Sequence, residues 1–397
     1  SCMDKVAVYN LGCKVNRVES DSIAASYHAR GLKLVPLEEA DLIVVNTCTV
    51  TAQAEKKTRK AVRSILRTNT HAQVLVTGCA ASINPNFYAN LDSRIVVVDK
   101  ADLIDATYTY ERVGDAFPTR VGVKVQDGCN HACTYCIVHV ARGKAWSRPL
   151  SEIIREVDYL IAQGAKEIVL TGIDLGSYHT DDGSLPFLLQ ELLQRDTTVR
   201  YRLSSIEPRS LSDKTLELLA HSEGRLCRHL HIPLQSGSTR VLKEMNRPYR
   251  AEYFAALCDK AYEKVEGLAL TTDIIVGFPG ETEKDFEQTL EMSKHARFSK
   301  IHVFPYSLRQ GTPAAARLDQ IDPSTKTKRA KILGELAQHL RDKEAHKRIG
   351  STEYVLVEQD GSAMSESYYK VALSQSFAIG SLIPITLTDY DLSLIHI

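Results

Sequence analysis

Long apolar runs are missing from this chain. Nowhere do about 20 uninterrupted apolar residues follow one another in its 397, which argues against a membrane-spanning helix. The opening Ser1-Cys2-Met3-Asp4-Lys5 has no signal-peptide core, so the cytoplasm is the expected compartment. Net charge is also missing: Lys+Arg and Asp+Glu each number 49. A polyanionic partner would have to be met by a local surface, not by the chain as a whole. No internal repeat or low-complexity tract occurs. With 44% hydrophobic and 25% charged residues, disorder and collagen-like structure are excluded. Cysteine is sparse, nine in all, an odd number, which rules out a disulfide framework at this length. In a reducing compartment, grouped cysteines point to metal ligation or catalysis, and six of the nine are grouped.

At about 100–200 residues per domain, the length predicts two or three domains. The expected division is an N-terminal α/β domain over residues 1–106, a linker over 107–120, and a βα-repeat domain over 121–321. A basic helical connector over 322–349 and a small β domain over 350–397 complete it. Four buried-strand runs, 6–11, 41–47, 73–77 and 94–99, alternate with helical patterns over 19–30 and 55–68. That alternation implies an open, doubly wound parallel sheet. Six strand-then-helix units follow, with strands at 121–126, 167–172, 199–205, 229–234, 269–277 and 300–306. They suggest a full or partial barrel, with a flat Rossmann sheet as the alternative. Either way, chemistry belongs at the carboxyl ends of the strands. Lys326–Arg348 holds eight Lys/Arg against three Asp/Glu, net +5, and residues 351–397 hold one Lys against six acids, net −5.

The strongest chemical signal is Cys129-Asn130-His131-Ala132-Cys133-Thr134-Tyr135-Cys136, just past the first strand of the βα repeat. Three thiolates in so short a loop can face one iron–sulfur cluster. A zinc site completed by His131 or His139 is the alternative. Three cysteines on a four-iron cubane leave one iron open to a chelating small molecule. A second set, Cys13, Cys48 and Cys79, is scattered in sequence but equivalent in place. Leu11-Gly12-Cys13, Asn46-Thr47-Cys48 and Thr77-Gly78-Cys79 each end a predicted parallel strand. All three then share one sheet edge and converge in one crevice. They form either a second three-ligand cluster site or a set of buried structural cysteines. Two open clusters would divide labour: one generates a radical, the other presents an exchangeable ligand such as sulfide.

The C-x₃-C-x₂-C loop after the first strand of a six-unit βα repeat resembles the radical S-adenosylmethionine superfamily. The wider set of fragments resembles the methylthiotransferase family over essentially the whole chain. They are Leu11-Gly12-Cys13-Lys14-Val15-Asn16, Asn46-Thr47-Cys48-Thr49-Val50-Thr51, Thr77-Gly78-Cys79, Ser205-Ile206-Glu207-Pro208, Pro233-Leu234-Gln235-Ser236-Gly237-Ser238, 273–282, 303–307 and Gly311-Thr312-Pro313-Ala314. The resemblance implies two [4Fe–4S] clusters, on Cys129, Cys133 and Cys136 and on Cys13, Cys48 and Cys79. It also implies S-adenosylmethionine chelated at the first cluster and cleaved to a 5′-deoxyadenosyl radical. The terminal β segment is similar to the family's TRAM domain, a small RNA-binding barrel. The residues around Cys13 and Cys48 resemble the branch acting on threonylcarbamoyladenosine in tRNA beside the anticodon. The branches acting on isopentenyladenosine or on a ribosomal-protein aspartate have other patterns there.

Further residues follow from position. Asp174, in Thr171-Gly172-Ile173-Asp174, resembles the superfamily's amino-group motif for S-adenosylmethionine. Glu207 is a candidate ribose or amino contact, and Gln235 and Ser236 candidate ligand contacts. Tyr135, between two ligand cysteines, is a candidate neighbour of adenine. Arg142, Lys144 and Arg148, past the first cysteine loop, suit tRNA phosphates. The basic helix carrying Lys56, Lys57, Arg59, Lys60, Arg63 and Arg67 could extend that surface with Lys326–Arg348. The acidic terminal segment would need stacking, by Tyr368 or Tyr369, to hold RNA. Expected partners are a tRNA anticodon stem-loop, an electron donor such as flavodoxin or ferredoxin, and an unidentified sulfur donor, with no membrane. A reading of another class is a non-catalytic, metal-stabilised RNA-binding protein.

Overall fold

The computed structural model describes every residue except 1–3, 13, 30, 49–50, 101–102, 104–118, 197, 360, 392 and 397. The chain forms two compact units. One comprises Ser1–Phe117, Asp127–Ala145 and Ser307–Thr312; the other comprises Pro118–Gln126, Trp146–Tyr306 and Pro313–Ile397. Among the described residues no helix is long and apolar enough to cross a membrane.

The first unit is built on a five-stranded parallel sheet. Its order is Lys33–Leu34, Lys5–Asn10, Leu42–Thr47, Gln73–Gly78, Ile95–Val97. The central strand Leu42–Thr47 is buried along its whole length, as a strand covered on both faces must be. The four apolar runs of the sequence all appear. The two-residue strand Lys33–Leu34 does not show in the sequence, because two residues carry no periodicity. The second helix, Ala52–Thr68, begins earlier than its apolar pattern suggests. Thr51 caps it, its side chain accepting the Ala54 N–H at 3.0 Å. Most of the expected linker 107–120 lies outside the described residues.

The second unit carries six parallel strands in two sheets of three. Arg120–Lys124, Glu167–Thr171 and Arg200–Leu203 form one; His229–His231, Ala269–Val276 and Lys300–Pro305 form the other. A parallel bridge from Ser205 to His231 joins them. Strand order therefore follows chain order throughout, with no switch point. That is barrel topology, and it disposes of the flat Rossmann alternative. Among the described residues no ladder pairs the first strand with the last, so the barrel is open. The helix Pro323–Arg348 follows, capped by Asp322 and packed on Lys300–Pro305. A six-stranded C-terminal sheet completes this unit. It is antiparallel except for Lys370–Leu373 beside Ser393–His396.

Two arginines tie the C-terminal sheet to the barrel strands. Arg200 and Arg202, two apart on one strand, point the same way. Arg200 donates to the carbonyls of Tyr354 and Met364, both at 2.9 Å; Arg202 donates to those of Ser365 and Glu366 at 2.9 and 3.0 Å. Both also bind Glu167, which is fully buried. Burial alone would raise the Glu167 carboxyl, but Arg202, Arg200 and Arg120 hold it down, to about 2. Its folded value lies below its ordinary 4.5. Its stabilising share is thus complete above that pH and is lost as pH falls toward 2. Arg202→Met should cost about 3–5 kcal/mol, as breaking a buried pair does. It should also move the acid loss of stability to higher pH, because Glu167 keeps fewer cations. Urea unfolding midpoints between pH 7 and pH 3 check both effects.

Candidate functional site

The first unit places Gly12, Cys48 and Cys79 at one end of its parallel sheet. Asn10 pairs with Asn46, Asn46 with Thr77 and Thr47 with Gly78, so the three strand ends lie level. Cys13 lies outside the described residues, but its neighbour Gly12 places that strand end. A Cβ built on Gly12 (φ +138°) would come within 2.7 Å of Cys48 Cβ and 3.1 Å of its Sγ. On Gly78 (φ +96°) one would lie 2.4 Å from the Thr47 carbonyl oxygen. Only glycine permits both the backbone conformation and so close an approach. Cys48 and Cys79 are buried, and neither is in a disulfide. Burial pushes the Cys79 thiol up, while Arg142 and Lys100 pull it back down. A deprotonated ligand is therefore costly there unless a metal compensates it.

The first cysteine loop leaves strand Arg120–Lys124 and belongs to the same unit as the second set. Its ends are pinned by the Cys129 N–H on the Gly143 carbonyl at 3.0 Å. Gly128 (φ +74°) has the Lys144 carbonyl 2.0 Å from where a Cβ would sit. The His131 and Val138 N–H groups approach Cys129 Sγ and Cys136 Sγ, each at 3.4 Å. Backbone donors aimed at sulfur are what thiolate cluster ligands require. Cys129, Cys133 and Cys136 are thiols, not disulfides. The donor set fits an iron–sulfur cluster.

Arg142 is not where the sequence puts it. Its side chain is only 4% exposed and is turned away from solvent, so it does not present itself to a phosphate. Its guanidinium meets Glu19 at 3.4 Å and both Asp127 oxygens at 3.2 Å, and donates to the Asn16 side-chain oxygen. Asn16 in turn donates to the carbonyls of Leu11 at 3.2 Å and Thr47 at 2.8 Å. Glu19 also holds Lys100 at 2.6 Å. Arg142 thus clamps the segment after Cys13 to the base of the Cys129 loop. Nothing in the sequence marks this clamp, because Glu19, one of the two acid partners, lies 123 residues upstream. Of the other proposed phosphate contacts, Lys144 is exposed, whereas Arg148 is directed to Glu156 at 2.6 Å and the Lys124 carbonyl at 2.8 Å. Tyr135 is half-buried.

In the second unit, Asp174 is buried and accepts the Glu207 N–H at 3.2 Å and the Ser210 hydroxyl at 3.0 Å. It shapes the turn that carries Glu207. The Glu207 carboxylate is paired with Arg247 at 2.6 Å, a partner the sequence does not suggest. Gln235 takes a left-handed conformation (φ +70°), rare for a non-glycine residue and often a functional-site feature. Ser236 is fully buried and accepts the Ser238 N–H at 3.1 Å, so its hydroxyl is not exposed as the sequence reading expects. Tyr369 is core, so it offers no open face to RNA, and one face of Tyr368 is stacked on His229 with centroids 5.0 Å apart.

The comparisons agree with this architecture. The profile of the Radical SAM superfamily matches residues 123–293, and that of Uncharacterized protein family UPF0004 matches residues 5–99. The Threonylcarbamoyladenosine tRNA methylthiotransferase MtaB of Bacillus subtilis (strain 168) is 40% identical over 367 residues, covering 85% of this chain and 81% of that protein. The MtaB of Thermotoga maritima is 36% identical, covering 90% and 87%. The tRNA-2-methylthio-N(6)-dimethylallyladenosine synthase of Carboxydothermus hydrogenoformans is 34% identical, covering 87% and 86%. Among solved structures, the radical S-adenosylmethionine methyltransferase TsrM from Kitasatospora setae superposes with a TM-score of 0.58 at 17% identity, covering 79% of this chain and 75% of that one. That likeness concerns the fold. Three thiols on the loop that follows the first barrel strand, in a chain matched by the Radical SAM profile, define a radical S-adenosylmethionine enzyme. The chain belongs to the methylthiotransferase family of these enzymes, with S-adenosylmethionine and a [4Fe–4S] cluster as its cofactors.

Proposed function

We propose that this enzyme is a tRNA methylthiotransferase that adds a methylthio group to C2 of N6-threonylcarbamoyladenosine beside the anticodon, using two [4Fe–4S] clusters. The observation that supports the reading is the close approach of Gly12 to Cys48 and of Gly78 to Thr47 at level strand ends, in the same unit as the Cys129–Cys136 loop. The names of its relatives support the substrate. Bound to Cys129, Cys133 and Cys136 and to Cys13, Cys48 and Cys79, the clusters would supply reductive cleavage of S-adenosylmethionine and a site for the transferred sulfur.

The chain's own part is to hold these groups in register. Gly12 and Gly78 let two strand ends close on Cys48 and Thr47. The amides of His131 and Val138 stabilise thiolate at Cys129 and Cys136. Arg142 fixes one cysteine segment against the other. In this reading residues 1–106 carry the second cluster, 121–321 the radical chemistry, 322–349 a connector and 350–397 a TRAM-like domain. Lys144 and the exposed Lys56, Lys57, Lys60, Arg63 and Arg67 meet phosphates; flavodoxin or ferredoxin supplies electrons in the cytoplasm.

The test is an anaerobic reaction of the reconstituted enzyme with S-adenosylmethionine, sulfide and a reductant on three substrates. These are tRNA carrying threonylcarbamoyladenosine, tRNA carrying isopentenyladenosine, and the ribosomal protein. Nucleoside and peptide mass analysis should show a methylthio product on the first alone. Product on either of the others would reassign the branch. Zinc in place of iron and no cleavage of S-adenosylmethionine would leave a metal-stabilised RNA-binding protein.

A further inference from the structure

His231, Asp273 and His302 stand on three neighbouring parallel strands of the barrel, and one ligand atom from each lies within 4.8 Å of the others. Strand pairing sets them there: Asp273 lies opposite His302, and His231 opposite Thr271, two residues before Asp273 on the same face. His231 Nε2 is 3.1 Å from Asp273 Oδ2. The other ring nitrogen, Nδ1, is 2.8 Å from the Thr271 hydroxyl, which is also 2.8 Å from His229 Nε2. His229 Nδ1 lies 3.2 Å from Arg202 Nη1.

A guanidinium only donates, so His229 accepts at Nδ1 and donates from Nε2 to Thr271. The Thr271 hydroxyl has one proton and a second lone pair, so it serves His231 Nδ1 in either tautomer. Without a cation its O–H donates to Nδ1, and His231 Nε2–H donates to Asp273 Oδ2. With a cation the hydroxyl rotates to accept Nδ1–H, and the Nε2 lone pair turns to the ion beside the Asp273 carboxylate and a His302 nitrogen.

We infer that His231, Asp273 and His302 bind a divalent transition-metal ion, of the zinc, iron(II) or manganese class. Two imidazoles and one carboxylate are the donors such borderline ions select, where calcium and magnesium take oxygen alone. With the ion bound, an Nδ1–H bond to Thr271 would be the outer contact that fixes the metal-binding tautomer. His302 is exposed, and 27% of the Asp273 side chain and 15% of that of His231 remain accessible. The ion would therefore keep positions open to water or to an oxygen of a ligand. The inference is independent of the cluster assignments.

Manganese(II) is the suitable probe, because it takes oxygen and nitrogen ligands and leaves thiolates to softer metals. Cluster-reconstituted, chelator-washed protein is titrated with Mn²⁺, and free Mn²⁺ is followed by electron paramagnetic resonance. One Mn²⁺ should bind per chain and be displaced by Zn²⁺. Affinity should fall about tenfold or more in His302→Ala and in Asp273→Asn, at unchanged iron content. No stoichiometric binding, or binding unaffected by either substitution, would overturn the inference. So would a His231 proton found on Nε2, by nitrogen-15 NMR, in the Mn²⁺-free and Zn²⁺-titrated protein alike.

Discussion

Cys79→Ala should abolish methylthio transfer while leaving S-adenosylmethionine cleavage in place. Cys79 is buried at the sheet edge beside Cys48, away from the Cys129–Cys136 loop in sequence, and no disulfide holds it. Alanine is smaller and apolar, so the fold should tolerate it at a cost of about 1–2 kcal/mol, as for a small buried truncation. Chemistry is another matter: a cubane left with two protein ligands in this set loses its hold. Iron per chain should fall by about four, with thiolate ligation as the basis. Production of 5′-deoxyadenosine should continue, uncoupled from transfer. Chromatography of both products from one reaction checks the pair of outcomes. Methylthio transfer retained in Cys79→Ala would make the second set structural.

Arg142→Met should separate the two activities in another way. The substitution leaves Asp127 and Glu19 without their shared cation and removes the donor to Asn16. Lys100 still holds Glu19, so the sheet should stay folded. What is lost is the registration of the segment after Cys13 against the base of the Cys129 loop. A misplacement of about 1 Å can cost about 100-fold in rate, and a fall of that order in methylthio transfer is expected. Both clusters should still load. Arg142→Lys should rescue only in part, because an ammonium cannot span three acceptors as a guanidinium fork does. Iron content, which a merely unfolded variant would lose, separates misregistration from collapse. Full activity in Arg142→Met would show that the clamp is dispensable.

The strands were legible in the sequence because their signals are local. A strand covered on both faces, such as Leu42–Thr47, must be apolar throughout, and Cys48 and Cys79 each follow directly on such a strand. The partners of charged side chains were not legible. Arg142 looks like a solvated residue past a cluster loop, and its acid is on a helix of the N-terminal sheet. Arg200 and Arg202 look unsuited to a buried strand until Glu167 and four carbonyls of the terminal sheet are seen to receive them. Ser236 sits in a motif that suggests ligand contact, yet its hydroxyl is absorbed by the turn before helix Thr239–Glu244. His229 and His231 did leave a trace: they alternate with Leu230 and Ile232, the mark of a strand with one polar face, whereas Thr272 between Thr271 and Asp273 hides that pattern on the next strand.

The most direct measurement is iron and sulfide per chain after anaerobic reconstitution, in the parent and in a variant with Cys129, Cys133 and Cys136 all changed to Ala. Two thiolate-held four-iron clusters predict about eight irons in the parent and about four in the variant. About four in the parent and none in the variant would contradict the account. It would leave Cys13, Cys48 and Cys79 without a cluster and the transferred sulfur without a site.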